Sequence, residues 1–218
     1  MFVVTTDQRG STRTGDRVPA LLDRLTPWRQ RWAPSIVLPL VRTVGDEVQV
    51  LVSGPDAAVD LALLLIREQQ WSVGVGAGSV DEPLGATARE SSGAAFVHAR
   101  RAVERARGRG EPVPVVVAGS DPDAEEEATA ILQLLGSVVA RRSAAGWEVA
   151  DHLVDGATQR EVAEALRISP QAVSKRVAAG LIEEERRARP VAARMLARLE
   201  RLERSVDTTP TVGQDRPS

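Results

Sequence analysis

The chain has 218 residues, a formal net charge of −2, pI ≈ 5.8, no cysteine and two histidines, His98 and His152. Those values exclude disulfides, thiol chemistry, cysteine-based zinc sites and a histidine-rich metal site, and leave room for two small domains with cores of their own. The densest apolar run, residues 61–66, is too short for a bilayer span, and no basic n-region precedes the apolar N-terminal residues, so a cytoplasmic protein without membrane contact is expected.

Residues 2–6 form a β-branched run that ends in Asp7, a strand with an acid at its C-terminal edge. A Gly/Ser/Thr loop follows. Leu21, Leu22, Leu25 and Trp28 then recur at helical spacing through residues 18–32, and Pro27 predicts a kink or a division into two pieces. Residues 36–43 and 47–53 read as a hairpin with Gly45-Asp46 at its tip. Pro55 opens a helix through Leu61 and Leu65. The stretch WSVGVGAG, residues 71–78, is a strand whose alternating glycines predict a close backbone approach. A loop of small and charged residues leads to a helix over residues 93–109, with Phe96, Ala99 and Val103 inward and His98 half-buried. Residues 113–117 form one more apolar strand. The order β-α-β-β-α-β-α-β predicts an α+β sandwich over residues 1–120, with helices on one face of a sheet.

Beyond Ser120, an acidic start and a run of Ile131, Leu134, Leu135, Val138 and Val139 predict a connector helix over residues 121–142, with Gly136 as its weak point. An all-α domain over residues 143–206 follows. Trp147, Val149, Ala150, Leu153 and Val154 give its first helix. Thr158 and Glu161 form a capping box before a second, and Ser169-Pro170 opens a third, with Val173 and Val177 on its buried stripe. Ala163 is small where the last two helices cross. After Pro190, Ala192, Met195, Leu199, Leu202 and Val206 make an a/d seam that suits either self-packing or dimer pairing. The polar residues 207–218 are expected to be disordered.

The run TQREVAEALRISPQAVSK, from Thr158 to Lys175, resembles the helix-turn-helix of MarR-like regulators and of sigma-factor region 4, except that Arg167 stands where a glycine is usual. That resemblance implies double-stranded DNA as partner, with the second helix of the pair in the major groove. Ser169, Pro170, Gln171, Ser174 and Lys175 would then be exposed to the duplex, Gln171, Ser174 and Lys175 reading sequence, and Arg160 and Arg176 meeting phosphates. The charge distribution agrees in sign. Residues 1–135 carry 14 arginines against 18 acids, a balance of −4, while residues 158–204 carry 11 basic residues against 7 acids, a balance of +4. So modest an excess suits a homodimer better than a monomer.

In the first half, the strand ending in Asp7, the Arg42…Gly45-Asp46 hairpin, the VGVGAG strand and the GAAFVHARRA helix resemble class III nucleotide cyclase domains. Those elements followed by a helix-turn-helix resemble the SatD family, and the resemblance covers nearly the whole chain. It implies a ferredoxin-like, cyclase-like fold, a site for a divalent cation or nucleotide at Asp7 and Asp46 with Glu47 nearby, and a match of Arg101 to the transition-state arginine. Arg42 and Val97 depart from the catalytic pattern, so no activity and no cofactor is expected, and the domain is read as one that senses a small ligand or pairs subunits. A divergent nucleotidyl cyclase, and a helix-turn-helix that docks a protein, are the alternatives.

Overall fold

The computed structural model describes residues 1–10, 15–154 and 156–207, with side chains as far as residue 203. Of the predicted disordered tail, residues 207–218, Asp207 ends the last helix and residues 208–218 lie outside the described residues, as does the centre of the first loop.

Five strands, β1 (Phe2–Gln8), β2 (Ile36–Arg42), β3 (Glu47–Val52), β4 (Trp71–Ala77) and β5 (Val115–Ala118), form one mixed sheet in the order β2-β3-β1-β4-β5. The β4–β5 pair is parallel and the other pairs are antiparallel. The expected element order holds. The divided helix becomes α1 (Val18–Arg24) and α2 (Thr26–Arg31), with Pro27 in the first turn of α2, where its missing N–H breaks no bond. The remaining helices are α3 (Pro55–Arg67), α4 (Ala94–Arg107), α5 (Pro122–Arg141), α6 (Ala144–Val154), α7 (Gln159–Leu166), α8 (Pro170–Ala179) and α9 (Ile182–Asp207). The protein is therefore a mixed α/β molecule of the α+β kind with a helical C-terminal part.

Helices cover both faces of the sheet, a correction to the one-face arrangement. Phe2, Val4, Val50, Val73 and Val75 face the main core with residues of α1–α3, α5 and α9. The alternate residues of the same strands, Val3 and Leu51, face Ala95 and Ala99 of α4. The glycines of β4 seat that helix. A Cβ on Gly76 would lie 2.2 Å from the Ala95 carbonyl oxygen, and one on Gly74 would lie 2.3 Å from the Val103 amide nitrogen. The predicted close approach is thus to the α4 backbone.

Neither α5 nor α9 stays where the sequence places it. The connector, α5, buries Ala128, Leu132, Leu135 and Val139 in the main core. Gly136 does not interrupt it, and its bare Cα admits Val113, whose Cγ1 would sit 2.9 Å from an added Cβ. Helix α9 leaves the helical part and returns over α3 and α5. Of the predicted seam, Ala192 and Leu199 are buried in the main core beside Ala193 and Leu196, and Met195 and Leu202 pack half-buried against it, so these four seam residues are covered within the chain rather than by a second copy. Pro190 lies inside α9 on its exposed side instead of preceding it.

Candidate functional sites

The α7–α8 pair is built by local chemistry. Thr158 Oγ1 accepts the Glu161 amide, and the Glu161 carboxylate accepts the Thr158 N–H at 2.7 Å, the reciprocal pair of a capping box. The Thr158 N–H, together with the Thr158 hydroxyl, which donates to the same carboxylate at 2.8 Å, holds the Glu161 carboxyl below its ordinary pKa. Arg167 closes α7 at φ 54°, ψ 42°, the left-handed region a glycine would enter without strain. Ser169 Oγ then accepts the Ala172 amide at 3.2 Å and starts α8 with Pro170 in the first turn. Val149, Val162, Ala163, Val173, Val177 and Ile182 close a small core beneath the pair.

That core sets which side chains face out. Gln171, Ser174 and Lys175 are all exposed on α8, as are Ser169, Pro170 and Arg160 around them. Ser174 Oγ donates to Gln159 Oε1 at 2.9 Å, and Arg160 pairs with Glu164 along α7 at 3.3 Å. Lys175 makes no ion pair with a described residue. Gln159, unassigned from sequence alone, fixes the Ser174 hydroxyl; its place directly after the capping threonine is the available signal.

Arg176 differs from its neighbour. It is half-buried and turns back to α6, where its guanidinium donates to Glu148 at 3.0 Å and to the Ala145 carbonyl at 3.4 Å. Its charge is matched within the protein, and it fixes the tilt of α8 on α6 rather than facing outward.

The second set of residues lies at the end of β1 and β3 on the α4 side of the sheet. Asp7 and Glu47 are register partners, and Asp46, at the hairpin tip, is near enough to act on Asp7 electrostatically. Asp7 is only 8% exposed. Burial raises its pKa above the ordinary aspartate value, Arg107 opposes the rise, and Asp46 and Glu47 add to it. The three acids come together as expected, but guanidinium groups of α4 meet them. Arg107 pairs with Asp7 at 3.2 Å and Arg100 approaches Glu47 at 3.7 Å. Thr43 Oγ1 donates to Glu47 at 2.6 Å. Among the described residues no group of three or more His, Asp or Glu side chains is arranged to hold a metal ion. Arg101 does not join the acids. It donates to the Gly119 carbonyl at 2.7 Å and pairs with Glu125 at the start of α5.

The α/β and helical parts are held by charges that the sequence reading did not identify. Arg142, at the α5–α6 corner, donates to the Gly180 carbonyl at 2.9 Å and pairs with Glu185 at 2.5 Å, its side chain 1% exposed and that of Glu185 5%. Trp147 lies between the guanidinium groups of Arg67 and Arg142, 3.9 and 4.4 Å from the ring centroid. Arg189 of α9 bridges Glu185 and Asp60 of α3, and those two acids raise its pKa against the effect of burial. No described helix is long and apolar enough to cross a membrane.

Comparison with known proteins returns no match: no family model, no curated protein and no solved structure.

Proposed function

We propose that the chain is a DNA-binding transcriptional regulator in which α7 and α8 form a helix-turn-helix, carried by a ferredoxin-like, cyclase-related body of the SatD kind. The observation that carries this reading is the outward row of Gln171, Ser174 and Lys175 on an α8 capped by Ser169. A glutamine amide suits the adjacent donor and acceptor of adenine, and an unpaired ammonium suits guanine or phosphate. Arg160, tied only to an exposed neighbour, turns to a phosphate at little cost. The strand order β2-β3-β1-β4, antiparallel throughout, supports the ferredoxin-like part. A homodimer supplies the second hairpin that a modest basic excess needs, with its contacts away from the covered seam of α9.

The test is fluorescence anisotropy with genomic DNA fragments across a salt series. Lys175→Ala is expected to weaken binding and to lower the log–log salt slope by about one ion. Absence of binding to every fragment at low salt transfers the hairpin to a protein partner. A second reading, a divergent cyclase or related phosphoryl-transfer enzyme, is favoured by one observation, the convergence of Asp7, Asp46 and Glu47 at one sheet end. Product from ATP or GTP with Mg²⁺ or Mn²⁺, lost in Asp46→Ala, is the result that would replace the regulator reading.

A further inference from the structure

Helix α5 is part of the α/β body, with Ala128, Leu132, Leu135 and Val139 in the main core, and its opposite face is open to water. Leu134, on that open face, is 63% exposed, the most exposed leucine among the described residues. Ile131 and Val138 flank it half-buried. At about 100° per residue these three share one stripe of the helix, and Glu127 and Arg141, both exposed, continue it at either end. A lone exposed leucine calls for no explanation. One with apolar neighbours and opposite charges beyond them does.

Charge identifies the occupant. Arg141 makes no ion pair with a described residue. Glu127 pairs at 2.6 Å with Arg198, an exposed arginine that it can exchange for another at little cost. An acid near the start of α5 and a cation at its end also suit the dipole of the helix itself, so the charges alone point to no partner. Their spacing does. Glu127 and Arg141 stand seven positions before and after Leu134, each about 10 Å from it along the axis. A second α5 turned end for end about Leu134 therefore sets its Arg141 against Glu127 and its Glu127 against Arg141. Ile131 then meets Val138 of the copy on one side of Leu134, and the small Ala130 and Ser137 meet on the other. A parallel copy would instead oppose like charges. The stripe is self-complementary, as a two-fold interface requires.

We propose that the chain forms a two-fold dimer through an antiparallel pair of α5 helices that cross at Leu134, with Glu127 of each copy against Arg141 of the other. The helical part of each copy follows Arg141, so the two helical parts leave the pair at opposite ends, starting about 20 Å apart. Such an arrangement suits successive major grooves about 34 Å apart on one face of a duplex. That use of the dimer rests on the regulator reading; the pairing itself does not.

The experiment uses the full chain without DNA, in sedimentation velocity from about 1 to 300 µM, and a dimer with a Kd below about 100 µM is expected. Leu134→Glu and Arg141→Glu are each expected to weaken it about tenfold or more. Both side chains are exposed, so the melting temperature of the monomer is expected to stay unchanged. Adding Glu127→Arg to Arg141→Glu restores opposite charges in reversed order and is expected to recover most of the lost affinity. The chain has no cysteine, so a single introduced one reports on its own surroundings. Leu134→Cys, on the two-fold axis, is expected to join two copies through a short bis-maleimide. Val97→Cys, exposed on α4 across the sheet, is expected not to. A monomer at every concentration overturns the proposal, as does a dimer unaltered by Leu134→Glu or joined equally well through Val97→Cys. Failure of the reversed charges to restore affinity overturns the antiparallel order. A dimer that passes these tests and binds no DNA keeps this interface and removes the regulator reading alone.

Discussion

Two polar surfaces, both singled out as candidate sites in the sequence, differ in how their charges are met. At the end of β1 and β3, Asp7 and Glu47 face Arg107 and Arg100 of a helix seated directly on the sheet. On α8, Gln171 and Lys175 are exposed, and the nearest strong cation, Arg176, is turned inward to Glu148. The first surface satisfies itself; the second leaves its donors to water. A ligand at the first must displace a guanidinium, whereas a duplex at the second displaces only solvent and counterions. That asymmetry is why the hairpin outranks the acids as the proposed site.

The largest perturbation of this contrast removes the helix that supplies those arginines. Gly76→Ala places a methyl against the backbone of α4, which cannot give way as a side-chain end can. A loss of more than about 4 kcal/mol is expected in urea unfolding. A loss below about 1 kcal/mol would mean that α4 lifts freely and that the acids are open after all. Next in size is Arg142→Ala. It strands Glu185 in the interior, exposes one face of Trp147, and leaves the Gly180 carbonyl without its donor. A cost of about 3–5 kcal/mol is expected. Arg142→Met, which keeps the stem but not the charge, is expected to lose nearly as much, because the unpaired carboxylate sets the cost.

The neighbours on α8 supply a sharper test within one helix turn. Arg176→Ala is expected to lower stability by about 1 kcal/mol through the lost Glu148 and Ala145 bonds, and to leave the DNA salt slope unchanged. Gln171→Ala is expected to leave stability within about 0.5 kcal/mol and to cost about tenfold in affinity for the preferred fragment. Interchanged outcomes for Arg176→Ala and Gln171→Ala would reverse the assignment of inner and outer faces.

Helical phase could have separated those neighbours before any coordinates. At about 100° per residue, Val173 and Val177 set the inward direction, Lys175 falls opposite Val173, and Arg176 lies beside the buried stripe. The strand and helix order and the caps were legible for the same reason: each rests on spacing or on bonds within a few residues. What covers a face was not. Ala95, Ala99 and the β4 glycines announce a close contact without saying on which side of the sheet it falls. The apolar stripe of α9 is equally readable as a dimer seam or a core helix, because periodicity gives the stripe and not its partner. Arg142 and Glu185 are far apart in sequence, and nothing local marks either as buried.

The smallest expected effect bears most directly on the acids. Burial and the like charges of Asp46 and Glu47 raise the pKa of Asp7 in the folded chain, against the opposing pull of Arg107. The folded state therefore holds the Asp7 proton to higher pH than the unfolded state does. Stability falls as pH rises from the ordinary aspartate value of 3.8 through the raised one, and stays lower above it. Asp7→Asn removes that dependence. It gives up an ion pair with an Arg107 side chain that is 55% exposed, a small loss, and relieves the repulsion from Asp46 and Glu47. The variant is expected to unfold at higher urea than the parent at pH 7, with the difference closing toward pH 3. A less stable variant at pH 7 would show that Arg107 outweighs burial. Adding Mg²⁺ to the same titration separates the two readings of this surface. If the acids hold a cation, Mg²⁺ stabilises the parent and not the variant. If α4 has closed the surface, both respond alike, and the acids serve the fold while α8 keeps the open face.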